Sequence, residues 1–155
     1  MNANPFRLVS ALAVVAMALA APVGATTAPS GRYTYPVAGT VYDTKTKLTW
    51  QQTAPLATYT WADAKTYCAG VGATLGGTGW RLPTVKELQT IVDETWHQGS
   101  SMDPTAFPGA PSGIFWSSSI VVGPPSPINA WYVSFGSGIT FFAPFNSSGD
   151  VRCVR

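Results

Sequence analysis

The alternation of polar and apolar positions changes period several times along this chain, and each change marks an element. Residues 8–20 form an apolar run of Ala, Val, Leu and Met broken only by Ser10. Two short alternating stretches follow, Gly39-Thr40-Val41-Tyr42 and Leu48-Thr49-Trp50. The polar residues Asp43 to Lys47 between them predict a hairpin with a charged tip. The period then becomes helical. Trp61, Ala64, Tyr67 and Cys68 share one face, with Thr60 as N-cap, Asp63 three residues later, and Gly70 and Gly72 at the end.

The densest signal is Gly79 to Leu88. Trp80 and Leu82 alternate around Arg81, as in a strand end buried on one side. Pro83 holds the chain out of the helical region, and Thr84 with Glu87 makes a capping box. Leu88, Ile91 and Val92 recur at helical spacing and predict a helix from Val85 to Thr95. Arg81 can pair with Glu87. Trp80, Arg81, Pro83, Thr84 and Glu87 are therefore assigned a structural task, setting the angle between this helix and a sheet.

Beyond it lies an irregular segment, residues 97–113, and then a short strand, Phe115 to Ser118. Residues 121–128 carry three prolines and read as a loop. Three successive strands follow, Ala130 to Phe135, Ile139 to Phe145 and Val151 to Arg155. Helices followed by a run of strands predict an α+β domain.

Composition sharpens this picture. The apolar run has small residues after it, Ala18-Leu19-Ala20 and Val23-Gly24-Ala25, as a signal peptidase requires. The run is too short to cross a hydrocarbon core of about 30 Å. The reading is a signal peptide over 1–25 with cleavage after Ala25, Ala20 being the second choice. A leader over 26–38 and one domain over 39–155 complete the chain. The mature protein is expected to be secreted or periplasmic and not membrane-spanning. Charged residues make up only 10% of the chain and the net charge is +2, which is no footprint for nucleic acid. The two cysteines, Cys68 and Cys153, permit one pairing, and in an exported chain an even count suggests a disulfide.

The blocks described also occur together in one family. Residues 39–51 resemble its opening G-x-V-x-D-x-x-T-x-L-x-W. Trp61 to Cys68 resembles W-x-x-A-x-x-Y-C, and Trp80 to Leu88 resembles W-R-L-P-T-x-x-E-L. Phe115-Trp116-Ser117-Ser118, Ala130-Trp131-Tyr132-Val133 and Val151-Arg152-Cys153-Val154-Arg155 complete the order. The chain thus resembles the C-terminal domain of the Legionella collagen-like protein, a family of unknown function found in exported bacterial proteins. The W-R-L-P-T-x-x-E and R-C-V-R blocks are also similar to those of the sulfatase-modifying, formylglycine-generating enzymes. The resemblance implies a C-type-lectin-like fold with two helices, a small twisted antiparallel sheet and long loops on one side. A Cys68–Cys153 bridge from the first helix to the last strand fits that fold.

Chemistry is sparse. The formylglycine-generating enzymes work through active-site cysteines and copper, but both cysteines here occupy structural positions. His97 is the only histidine, so no multi-histidine metal site can form. Asp93 and Glu94 are neighbours on a helix and diverge by about 100°. No calcium loop, nucleophile elbow or phosphate-cradling motif is present, and the sugar-binding motifs of calcium lectins are missing. No cofactor or metal is expected. Aromatics supply the remaining signal, because a sugar's apolar face stacks on such rings. Candidate ligand-binding residues are Trp116, Ser117, Ser118, Tyr132, Phe141 and Asn146. Strand parity puts Trp131 with Val133 on one face and Tyr132 with Ser134 on the other. Trp131, Trp50, Trp61 and Trp80 are assigned to the core. Trp116 fits either side. The function expected is a non-catalytic binding module for adhesion or for capture of a glycan or protein ligand outside the cell. The alternative is a degenerate or unrecognised enzyme of the formylglycine-generating class.

Overall fold

The computed structural model describes residues 27–95, 99–123 and 128–155. Residues 1–25, read from the sequence as a signal peptide, His97 and the centre of the proline-rich loop lie outside the described residues. The first sheet is antiparallel, in the order β1 (Tyr33–Thr34), β2 (Thr40–Asp43), β3 (Leu48–Gln51). β1 belongs to the segment read as a leader, which therefore contributes an edge strand. The β2–β3 turn is built by Asp43. Its carboxylate accepts from the amides of Lys45 at 2.9 Å and Thr46 at 3.4 Å. It also meets Arg32 at 3.2 Å. Asp43 is fully buried, so only the lysines remain on the tip.

Helix α1 (Trp61–Gly70) starts at Thr60, whose hydroxyl accepts from the Asp63 amide. Ala64 and Cys68 are buried, and Trp61 and Tyr67 lie half-buried on the same side. One further turn, α2 (Gly72–Leu75), follows. Helix α3 (Val85–Gln89) opens with both halves of the capping box: the Glu87 amide donates to the Thr84 hydroxyl at 3.2 Å, and the Thr84 amide donates to the Glu87 carboxylate at 2.7 Å. The helix predicted to reach Thr95 stops at Gln89. Leu88 and Ile91 are buried as their spacing requires. The chain between them tightens into three-residue turns, Ile91 to the Leu88 carbonyl and Val92 to the Gln89 carbonyl. The Thr90 hydroxyl bonds back to the Glu87 carbonyl at 2.6 Å, and the Asp93 amide is taken by Ser101 of the following loop. Local side-chain bonds and a loop partner thus replace the helical ladder.

The second sheet is antiparallel, in the order β4 (Ile114–Ile120), β5 (Asn129–Ser134), β6 (Thr140–Pro144). Where the resemblance implies one small sheet, there are two. The segment expected as the last of three successive strands instead runs beside β3. Thr49 and Arg155 exchange backbone bonds of 2.8 and 2.9 Å, and Arg81 and Val154 exchange bonds of 2.9 and 3.0 Å on the other side. Its side chains alternate between two cores. Val154 packs with Val41, Trp50, Leu88, Phe107, Phe115 and Val133. Val151 and Cys153 pack with Ala64, Cys68, Trp80, Leu82 and Trp116. An extended segment buried on both sides has to be central.

Arg152 is fully buried on the side of the first core. It donates to the carbonyls of Gln51 and Gln52 and lies 4.6 Å over the Phe107 ring. Burial pulls its guanidinium down to about 9, against the partial support of the Asp150 carboxylate. Cys68 and Cys153 form a disulfide with a Cα–Cα distance of 5.3 Å across 85 positions, which ties α1 to this central segment. No helix among the described residues is long and apolar enough to cross a membrane.

Candidate functional site

Parity on β5 decides which aromatic residues face outward. Ala130 and Tyr132 turn toward Trp116 and α1, while Val133 turns toward α3. Trp131 shares the Val133 face but lies outside both cores and is half-buried. Its cross-strand partner is Phe142, with ring centroids 5.6 Å apart and planes at 81°. Phe142 stacks on Phe141 at 4.8 Å, and Phe141 meets Tyr132 at 6.5 Å. Phe141 is 53% exposed and Phe142 37%. β6 is the edge strand of its sheet, so no further strand among the described residues covers these rings. Ile128 and Ile139, each 59% exposed, extend the apolar surface at the strand ends. The result is a contiguous aromatic strip, Trp131-Phe142-Phe141-Tyr132, on a rigid sheet.

The remaining candidates divide. Trp116 is fully buried, donates its indole N–H to the Tyr59 carbonyl at 2.9 Å and covers Gly149. Ser117 is also buried and donates to the Trp131 carbonyl at 2.6 Å. Both belong to the core and cannot meet a ligand. The reason is that β4 is not an edge: it pairs with β5 on one side and its Phe115 bridges Asp150 on the other. Ser118 is half-buried, with its amide on the Pro83 carbonyl at 2.7 Å. Asn146 is exposed in the turn after β6. Trp50 and Trp80 are core residues as expected. Trp61 is only half-buried. It stacks on Phe145 at 4.4 Å, under the Lys65 ammonium. Trp131 and Phe142 are the strip residues that sequence reasoning did not select. Strand parity assigns adjacent Phe141 and Phe142 to opposite faces, but on this edge strand both stay exposed and their rings stack on each other.

The Gly79–Leu88 junction is built as scaffold. Arg81 grips Glu87 through two bonds of 2.6 and 2.8 Å. That grip, helped by the Thr84 amide, holds the Glu87 carboxyl below its usual range. Pro83 is buried, and the Trp80 indole donates to the Gly76 carbonyl at 2.8 Å. A polar cavity of about 530 Å³ lies between the exit of α3 and the β5–β6 turn, lined by Asp93, Glu94, Ser101 and Ser137. Burial opposes the charge of Asp93, but hydrogen bonds from Thr27 and Thr95 outweigh it and hold that carboxyl low. Among the described residues no three His, Cys, Asp or Glu side chains are grouped so as to hold a metal ion.

The sequence model of the Lcl C-terminal domain matches residues 39–155. The chain belongs to that family. The matched region of this Lcl C-terminal domain starts just before β2 and takes in both cores, the disulfide and the aromatic strip. Among curated proteins no match is found.

Proposed function

We propose that this Lcl C-terminal domain is an exported, non-catalytic binding module of C-type-lectin-like architecture, used for adhesion or for capture of a glycan or protein ligand. The observation that carries the proposal is the exposed strip Trp131-Phe142-Phe141 on a sheet tied to the rest of the domain. Aromatic rings on a rigid strand offer large contact area at little ordering cost. The disulfide supports an oxidising compartment outside the cytoplasm, as does the signal peptide read from residues 1–25. Both cysteines of the chain are consumed by that bridge, which leaves no thiolate for oxidase chemistry and favours binding over catalysis. The test is a glycan array together with a metal-content assay on the refolded mature domain. Binding by metal-free protein is the expected result. Stoichiometric copper, with oxidase activity, would sink the proposal.

A further inference from the structure

A concave surface built from other residues than the strip lies where the start of α1 meets the turn after β6. It is a shallow cavity of about 520 Å³ lined chiefly by Tyr59, Thr60, Asp63, Thr66, Tyr67 and Ser148. Its two tyrosine rings meet at 5.1 Å with planes at 39°. Both are held in place. Tyr59 exchanges backbone bonds of 2.8 and 3.0 Å with Gly149, and its carbonyl takes the Trp116 indole N–H. The Tyr67 phenol oxygen accepts from the Gln51 amide nitrogen at 2.8 Å. The orientation of that amide is fixed, because its oxygen accepts from the Cys153 N–H. The phenol oxygen therefore serves as acceptor inward, and its own proton is free to be donated outward.

Asp63 completes the set. One carboxylate oxygen takes the Thr60 hydroxyl at 2.7 Å, and the other is left to accept. The Thr66 hydroxyl donates to the Ala62 carbonyl, so its remaining capacity is also for accepting. Two ring faces, one fixed donor and several acceptors at the floor of an open cavity match the surface of a sugar, with apolar C–H faces and paired hydroxyls. The only charge among the lining residues is the Asp63 carboxylate, which disfavours sulfated, phosphorylated or uronic sugars. Lys65, two residues on, is turned away over the Trp61 ring at 4.4 Å.

We infer that this cavity is a neutral-saccharide site, a reading that rests on the binding-module proposal and adds to the strip a second site with its own ligand class. Tyr67 donates to a ring hydroxyl, Asp63 accepts from a neighbouring one, and Tyr59 or Tyr67 stacks on the sugar face.

The test is an NMR titration of the full mature domain with cellobiose, maltose, lactose and N,N′-diacetylchitobiose, and with a heparin disaccharide as the anionic counterpart. At least one neutral sugar should shift the amides of Tyr59, Thr60, Asp63 and Ser148. Tyr67→Phe keeps the ring but also removes the acceptor of the Gln51 amide, so its Tm is measured alongside; with the fold intact, binding should weaken about fivefold, the worth of one hydrogen bond. Asp63→Asn should reduce discrimination against the heparin disaccharide. Equal affinity in Tyr67→Phe, or shifts confined to Trp131 and Phe142, overturns this site while leaving the binding-module reading in place. No shift anywhere with any of the sugars overturns the site as well, and a protein ligand for the strip then has to be sought separately.

Discussion

Removing the disulfide offers the best-defined perturbation of this fold. The bridge spans 85 positions, and loop-closure entropy for a ring of that size is worth about 4.5 kcal/mol to the folded state. For a domain of roughly 120 residues the unfolding entropy is about 0.25 kcal/mol per kelvin, so the loss corresponds to a Tm lower by about 15–20 °C. Both cysteines are fully buried in the second core beside Ala64, Trp116 and Val151, so the substitution to make is Cys68→Ala with Cys153→Ala. The assay is thermal and urea unfolding of parent and variant, each followed by Trp fluorescence. The variant should show a lower midpoint and a larger m-value, because its unfolded chain expands once the ring is opened. Hydrogen exchange should place the loosening at the amides of Cys153 and Val154, which bond to Gln51 and Arg81. A variant whose Tm falls by less than about 3 °C would refute the reasoning, since the two cores alone would then hold the central segment.

Further outcomes follow from particular contacts. Thr84→Ala removes one half of the capping box and should cost about 1 kcal/mol in thermal unfolding, with ligand affinity unchanged. Glu87 is held below its usual range by Arg81. Its contribution is therefore present above the ordinary glutamate pKa and lost as pH falls through the lower folded value. Glu87→Gln should flatten that acid limb of a Tm-versus-pH curve. Gly149→Ala would place a methyl group 2.9 Å from the Trp116 indole nitrogen and 3.2 Å from the Ile114 carbonyl. Neither neighbour can move, and denaturant unfolding should show a loss of about 1–3 kcal/mol.

Local rules carried much of the fold in the sequence. The Thr84–Glu87 box, the Thr60 cap and the β2–β3 hairpin are all short-range devices, and they form where the residue types dictate. Failures occurred where tertiary partners decide. The helix expected to Thr95 is cut short because Ser101 and the Thr90 hydroxyl take its backbone groups. Val151 to Arg155 looks like the strand that follows β6, but which neighbour an extended segment joins is set by the two cores it divides. The same limit governs the candidate site. Strand parity correctly paired Trp131 with Val133, yet it could not say that α3 covers Val133 and leaves Trp131 half-exposed. Nor could it show that β4 is flanked on both sides, which removes Trp116 and Ser117 from the surface. Tyr59 and Tyr67 converge only through the bridge of Tyr59 to Gly149 and the bond of Tyr67 to Gln51, both long-range in sequence.

The binding-module account is tested most directly by paired affinity and stability measurements on a variant of the strip. Phe141→Ser with Phe142→Ser removes two exposed rings from an edge strand. The account predicts that affinity for a ligand that shifts the Trp131 and Phe142 amides falls at least about tenfold, while neutral-sugar binding at the Tyr59–Tyr67 cavity is untouched and the unfolding free energy changes by no more than about 1 kcal/mol. Undiminished affinity at unchanged stability would contradict it.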